Sequence, residues 1–250
     1  MMTQEEIHAH CAEIERCNQR GGRMLSIVDL IDAGTFSEDL AAYALAAINN
    51  GASFMVGALA GGAGKTTVMG ALLNFVPKSV RLVPADGLAA MHAGTAETDG
   101  RRCFICHEIG PGPYYAYLWG EPLRAYFDLP AAGHLLATNL HADTLEQARK
   151  QVCGDNGVSE AAFRRMNLIF LLSAERSGFR IRRRIEQAWE SDGSSRHRQV
   201  YSARCPSPPH VRSDLVSEED AAQGRAIIDL LGVRGARTIE EVRAAIVEVT

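Results

Sequence analysis

Short apolar segments alternate with helical patterns along most of the chain, and this alternation constrains the fold more than any other feature. A short segment that is continuously apolar is typical of a strand buried on both faces of a sheet. Strands that alternate with helices favour a parallel sheet covered by helices on both sides. The sequence therefore predicts an α/β fold with a mainly parallel sheet. The predicted strands span residues 53–60, 80–86, 103–108, 134–140 and 168–175.

Helical patterns fill several of the intervals between these strands. They predict helices that begin near Ser37, run from Thr66 to Phe75 and cover 143–152. A less regular pattern over 114–127 predicts a further helix, which Pro122 would kink.

The pattern changes after residue 178. Two basic segments flank Ser191–Ser195 and predict an antiparallel hairpin at the C-terminal side of the sheet. The arginines of this hairpin favour a solvated strand face, with contact to acidic lipid, nucleic acid or an acidic protein as the alternative.

The chain divides into three predicted parts. Residues 1–24 are polar and predict a helix or frayed arm, whereas residues 25–204 hold the predicted strands. Residues 205–250 combine a proline-rich linker with a helical tail. The last helix of that tail is predicted to begin at Thr238, whose spacing to Glu241 matches a capping box.

Composition excludes several classes of protein. The chain has 250 residues and a formal net charge of −4, which argues against a broadly basic nucleic-acid-binding protein. It has no run of 18 apolar residues, and its polar N-terminus lacks the apolar core of a signal peptide, so a cytoplasmic protein is expected. Cys103 and Cys106 would point to opposite faces of one strand, which favours buried thiols over half a zinc site.

A glycine-rich turn joins the first predicted strand to the next helix. Such a turn presents backbone N–H groups to a phosphate, and the helix adds the positive end of its dipole. Lys65 would place its charge on the β- and γ-phosphates, and the Thr66 hydroxyl can ligate Mg²⁺. Leu59 stands at the first position of the G-x-x-x-x-G-K-[ST] pattern, where glycine is usual. The predicted phosphate-binding residues are Gly61, Gly62, Ala63, Gly64, Lys65, Thr66 and Thr67.

A loop of this kind works with an acid that holds the magnesium or orients water. In a parallel sheet, that acid is expected at the C-terminal end of a strand near the loop. Asp86 and Glu108 both follow predicted strands. Glu108 follows the more apolar strand and is the first choice, acting on the metal through a water molecule. A solvated loop acid is the alternative interpretation of each.

His134 and His141 bracket the fourth predicted strand. A lone histidine in such a place is more often a structural hydrogen-bonding group. Two of them, with His141 at the edge of the sheet where a ligand is expected, predict a sensor of the nucleotide state.

These segments resemble the motor domain of the type II/IV secretion and type IV pilus ATPases, including tight-adherence pilus and archaeal relatives. Residues 29–67 resemble the family's helix pair and the strand that enters its phosphate loop. The sequence RLVPAD, which ends at Asp86, falls on its aspartate box, and GHLLATNLHADT falls on its histidine box, with His134 and His141 on the two histidines.

The same resemblance places CFICHEIG on the Walker B segment, with Glu108 in the catalytic position and His107 where glycine is usual. The tail sequence LLGVRGARTIEEVRAAIVEV is similar to the family's C-terminal helices. The resemblance covers roughly residues 25–250.

The resemblance implies a RecA-like P-loop NTPase that binds ATP and Mg²⁺ and hydrolyses ATP. It also implies a membrane-embedded secretion or pilus platform as partner, a ring formed with itself or with a partner chain, and a position at the inner face of the membrane through that partner. Nucleic acid is not an expected partner. Two other functions stay open, namely a nucleotide-binding or scaffolding paralogue that does not hydrolyse ATP and, less favoured, a small-molecule P-loop kinase. The catalytic residues implied are Glu108, Asp86, His134 and His141.

Overall fold

One β-sheet forms the centre of the computed structural model, which describes residues 2–18, 21–96, 100–177, 180–204, 211 and 213–250. The strands are β1 (Phe54–Gly57), β2 (Arg81–Pro84), β3 (Arg102–Ile109), β4 (Tyr117–Leu118), β5 (Leu135–Leu140), β6 (Leu168–Ser177), β7 (Arg180–Glu190) and β8 (Arg198–Ser202). Along the sheet the strand order is β2-β3-β5-β1-β6-β7-β8, and the short β4 pairs with the carboxyl end of β3.

The strand directions confirm a mixed α/β fold with a mostly parallel sheet. The pairs β2–β3, β3–β5, β5–β1 and β1–β6 are parallel. The pair β7–β8 is antiparallel, as the hairpin prediction required, but β6 also pairs antiparallel with β7. The antiparallel part therefore begins one strand earlier than predicted, because β7 follows β6 after only two residues and turns back along it.

Helices cover both faces of the sheet. None of those in the described residues is long and apolar enough to cross a membrane. The helices are α1 (Gln4–Arg16), α2 (Ile27–Asp32), α3 (Glu38–Asn49), α4 (Lys65–Leu73), α5 (Leu88–Ala96), α6 (Glu121–Asp128), α7 (Leu145–Arg149), α8 (Glu160–Arg164), α9 (Glu218–Arg234) and α10 (Ile239–Val249).

Two hydrophobic layers result, one on each side of the sheet. In the first layer, helices α1, α2, α3, α4, α9 and α10 pack on one face of the sheet. In the second, helices α5, α6, α7 and α8 pack on the other face. Successive strand residues alternate between the layers, so Cys103 packs in the first and Cys106 in the second. Both thiols are free and buried, which confirms the interpretation of this pair as buried thiols. Burial raises the pKa of Cys106 to about 12.

The N-terminal segment forms a well-capped helix with one buried face. Thr3 and Glu6 make a capping box at the start of α1, and Ile7, Cys11 and Ile14 are buried in the first layer. Three apolar side chains on one helical face are enough to dock an otherwise polar helix. The division of the chain at residues 24 and 204 into separate parts remains a prediction.

The helix predicted over 114–127 is wrong in its first half. Tyr117–Leu118 forms β4, and α6 begins only at Glu121, after Gly120 takes a φ of +66°. Pro122 lies in the first turn of α6 instead of kinking a longer helix, because the missing N–H of proline costs nothing there.

Three further helical details differ from the sequence analysis. The helix predicted over 143–152 begins at Leu145 and passes into a π-helical segment, Lys150–Asp155. Helices α5 and α8 were not predicted, since neither has a regular apolar repeat of useful length.

The C-terminal tail is fixed to the sheet by a buried carboxylate. Glu190, on β7, accepts hydrogen bonds from the Tyr43 hydroxyl at 2.8 Å, the Ser213 hydroxyl at 2.6 Å and the Asp214 backbone N–H at 2.9 Å. The linker predicted over 205–210 lies outside the described residues. Thr238 and Glu241 form the predicted capping box of α10.

A buried arginine joins this tail to the C-terminal end of α4. Arg243 is fully buried, and its guanidinium donates to the backbone carbonyls of Asn74 at 2.9 Å and Val76 at 2.5 Å. His10 donates to the Leu73 carbonyl at 3.1 Å, and burial lowers the pKa of His10 to about 3. A cation at this position compensates the negative end of the α4 dipole.

We expect Arg243→Ala to lower the free energy of unfolding by about 2–4 kcal/mol, because it leaves buried carbonyls without donors. Urea unfolding followed by circular dichroism measures this loss. Arg234→Ala is the matched control on α9: Arg234 is partly exposed and pairs with Glu248, so its replacement is expected to cost less than about 1 kcal/mol. Equal losses in the two variants would contradict the assigned role of Arg243.

Candidate functional site

The turn between β1 and α4 has the backbone shape that its glycines permit. Gly62 has a φ of +78° and Gly64 a φ of +102°, in the left-handed region that other residues rarely adopt. No side chain caps α4 at Gly64, so the helix presents its first N–H groups to the space beside the turn. Leu59 is not among the residues with positive φ, and its backbone N–H donates to Asp143 Oδ1 at 2.7 Å. The leucine at this position therefore introduces no left-handed strain.

Lys65 is buried at the start of α4 and contacts groups from two neighbouring strands. Its Nζ donates to the Ala58 carbonyl at 3.2 Å and lies 3.5 Å from Glu108 Oε2 and 3.4 Å from His141 Nδ1. A buried ammonium needs such partners, since an uncompensated charge in the protein interior is costly.

Glu108 reaches Lys65 from a distorted part of β3. The pairing of β3 with β5 is regular up to Cys106 and resumes at Ile109, so Glu108 lies within a β-bulge. Bulges re-aim side chains and are frequent beside active sites. Burial raises the pKa of the Glu108 carboxyl, while Lys65 and His141 lower it. Its Oε1 is buried and has no hydrogen-bond partner among the described residues.

His141 lies at the carboxyl end of β5, beside the same carboxylate. Its Nε2 is 3.9 Å from Glu108 Oε2, and its Nδ1 is 3.3 Å from the Leu59 carbonyl. The structure thus brings together Lys65, Glu108 and His141 at the carboxyl edge of three strands.

The structure does not bring His134 to this place. His134 precedes the amino end of β5, whereas His141 follows the carboxyl end of the same strand, and His134 is buried. Its Nδ1 accepts from the Arg102 backbone N–H at 3.1 Å, and its Nε2 therefore donates to the Gly94 carbonyl at 2.8 Å. Both ring nitrogens are used in these structural contacts.

Asp86 also lies apart from Lys65. It is exposed after β2, and both β3 and β5 lie between β2 and β1. Strand order therefore separates it from the turn, whereas Glu108 on β3 is one strand nearer.

The turn opens into a cleft of about 460 Å³. Its lining includes Lys65, Glu108 and His141 together with the turn itself. The lining also includes Ile181 and Arg183 from β7, and the sequence predicts neither of them at the site. A further part of the lining, mostly apolar, comes from Met24, Leu25, Leu30, Ala33 and Thr35.

Thr66 and Thr67 also line the cleft. Among the described residues, no group of three or more His, Cys, Asp and Glu side chains is arranged to hold a metal ion. A metal at this place would therefore need other ligands, such as a hydroxyl, water or phosphate oxygens.

No family model matches the chain, and no curated protein matches it. Among solved structures, the VirB11 ATPase of the Brucella suis type IV secretion system, in complex with sulphate, aligns with 66% of this chain at a TM-score of 0.45 and 16% identity. The aligned part covers 54% of that ATPase, so this chain spans about half its length.

We expect Gly64→Ala to lower the free energy of unfolding by about 1–2 kcal/mol, because alanine is strained at a positive φ. The Cβ would also lie 3.3 Å from Arg183 Cδ. Gly61→Ala is the matched control: a Cβ on Gly61 meets nothing within 4 Å and its φ is not positive, so a change below about 0.5 kcal/mol is expected. Urea denaturation without any ligand makes the comparison, and equal stability of the two variants would argue against the turn geometry.

Proposed function

We propose that the chain binds Mg-ATP with its phosphates on the turn Gly61–Thr67 and hydrolyses it at Glu108. One observation carries this proposal. A glycine turn at a helix N-terminus lies in a cleft where a buried lysine and a buried carboxylate are 3.5 Å apart. Backbone N–H groups, a helix dipole and an ammonium suit a polyphosphate, and the carboxylate suits a water molecule that must lose a proton.

The residues present fit a magnesium ion bound with the nucleotide. Thr66 would contribute its hydroxyl, and the unpartnered Oε1 of Glu108 would accept a hydrogen bond from a metal-bound water. Bound in this way, Mg²⁺ neutralises charge on the phosphate oxygens. Lys65 would remain the protein's own cation on the β- and γ-phosphates.

The pairing of Lys65 with Glu108 links binding to chemistry. A polyphosphate would attract Lys65 and weaken its interaction with Glu108, which raises the tendency of that carboxylate to accept a proton. In hydrolysis, the oxygen of a water molecule forms a bond to the γ-phosphorus, and the bond from that phosphorus to the β,γ-bridging oxygen breaks. Glu108 takes a proton from the attacking water. Burial, which already raises the pKa of Glu108, suits it to this task.

His141 is the histidine we assign to sensing the phosphate state, since it contacts Glu108 and precedes α7. Asp86 and His134 take no direct part in this proposal, because strand order and structural hydrogen bonds account for where they lie.

We further propose, on the sequence resemblance alone, a RecA-like motor of the secretion or pilus class. That proposal includes a membrane-embedded platform protein as partner, a ring formed with itself or a partner chain, and a place at the inner face of the membrane. The mostly parallel α/β sheet is compatible with it.

We expect Lys65→Ala to weaken binding of Mg-ATP by a few kcal/mol, the scale of losing a desolvated charge contact. Isothermal titration calorimetry measures the affinity, and thermal melting checks that the variant folds. Lys78→Ala, at an exposed lysine, is the control and should bind as the wild type does. Equal affinity in wild type and Lys65→Ala would refute the phosphate-binding role of the turn.

We expect Glu108→Gln to leave ATP affinity nearly unchanged and to lower steady-state ATP hydrolysis by roughly 10²–10⁴-fold, the usual weight of a general base. Phosphate release at saturating Mg-ATP provides the measurement. If the wild type binds ATP and shows no turnover, the non-hydrolysing paralogue predicted as the alternative becomes the better description. If the wild type and Glu108→Gln turn over equally fast, hydrolysis stands and the assignment of Glu108 does not.

A further inference from the structure

Strands β6 and β7 extend beyond the carboxyl ends of the parallel strands as a two-stranded ribbon. The pairing of β1 with β6 ends at Gly57 and Leu171, but β6 continues to pair with β7 from Leu172 onward. The parallel strands end at the same edge as the glycine turn, so the ribbon projects beside that turn. This ribbon, residues 172–177 with 180–185, is called the arm below.

The arm places one arginine against the turn. Arg183 pairs in register with Ala174, is partly buried, and donates from Nε at 3.4 Å and from Nη2 at 3.3 Å to the Gly62 carbonyl. A guanidinium has five N–H donors in a fixed fork, so this contact leaves donors for a further acceptor. Its Cδ also lies 3.3 Å from the position of a Cβ on Gly64.

The neighbouring arginines of the arm are held differently. Arg184 forms ion pairs with Glu175 at 3.5 Å and Glu186 at 2.8 Å, so its charge is compensated by carboxylates. Arg182 is exposed, and as the preceding residue of the strand it points to the other face. Among the described residues, no carboxylate forms an ion pair with Arg183, whose polar contacts are with the turn.

Arg183 and Lys65 line the same cleft and come from different elements, β7 and α4. Glu108 and His141, which contact Lys65, come from β3 and β5 on one side of β1, and Arg183 comes from β7 on the other side. An anion seated on the turn would therefore lie in a cleft that both Lys65 and Arg183 line.

We infer that Arg183 is a second phosphate-binding cation, which the arm supplies from the same chain. The inference rests on the proposed function and deepens it: the ligand is a polyphosphate, and Arg183 binds it with N–H donors not used by Gly62. Charge-assisted hydrogen bonds from a guanidinium to phosphate are among the strongest polar contacts, and their geometry favours arginine over lysine.

The test measures Mg-ATP and Mg-ADP affinity by calorimetry for wild type, Arg183→Ala, Arg183→Lys and Arg182→Ala. We expect Arg183→Ala to weaken both affinities by about tenfold or more, Arg183→Lys to recover part of the loss, and Arg182→Ala to stay within about twofold of wild type. Because Arg183 is partly exposed and contacts a surface turn, the variants should melt within a few degrees of wild type, and melting curves check this.

The outcomes separate the inference from the proposed function. If wild type binds ATP in a Lys65-dependent way and Arg183→Ala binds equally well, the role of Arg183 is overturned and the proposed function stands. If Arg183→Ala and Arg182→Ala weaken binding equally, a general effect of net charge explains the loss and the specific role is again overturned. If wild type does not bind ATP, the proposed function and the inference fall together.

Discussion

The buried charge of Lys65 constrains the rest of the structure more than any other group. An ammonium removed from water needs compensation, and here it comes from a carbonyl after β1, a carboxylate on β3 and an imidazole after β5. These groups meet because parallel strands end at a common edge. The sheet order, with β5 between β1 and β3, therefore also brings together the groups that compensate the buried charge of Lys65.

Helix α4 transmits that constraint through the first hydrophobic layer. Its N-terminal end carries the glycine turn, and its C-terminal end is held by His10 from α1 and Arg243 from α10. The two ends of the chain thus contact the same helix terminus. Movement of α4 along its axis would disturb both the turn and the docking of the terminal helices, because a close-packed interior resists small displacements.

The sequence predicted the local elements better than it predicted which side chains meet. The glycine content and apolar pattern predict the strand-turn-helix around Lys65, and the spacing of Thr238 and Glu241 predicts the capping box of α10, because each depends on neighbours in sequence. The apolar character of the preceding strand favours Glu108 over Asp86, but it does not say which of the two reaches Lys65. That is decided by the sheet order and the bulge in β3, and neither is encoded locally. Arg183 was grouped with a solvated basic strand for the same reason: its orientation depends on where the arm projects.

The two buried thiols of β3 can be used to detect local opening of the helices that cover the sheet. Cys103 and Cys106 lie in different hydrophobic layers, and burial raises the pKa of each, so an alkylating reagent can reach either thiol only when the covering helices detach. Labelling rates read by mass spectrometry would then report separately on the two sides of the sheet. A difference between the rates that exceeds the difference in thiol reactivity would show that one helical layer opens more often than the other.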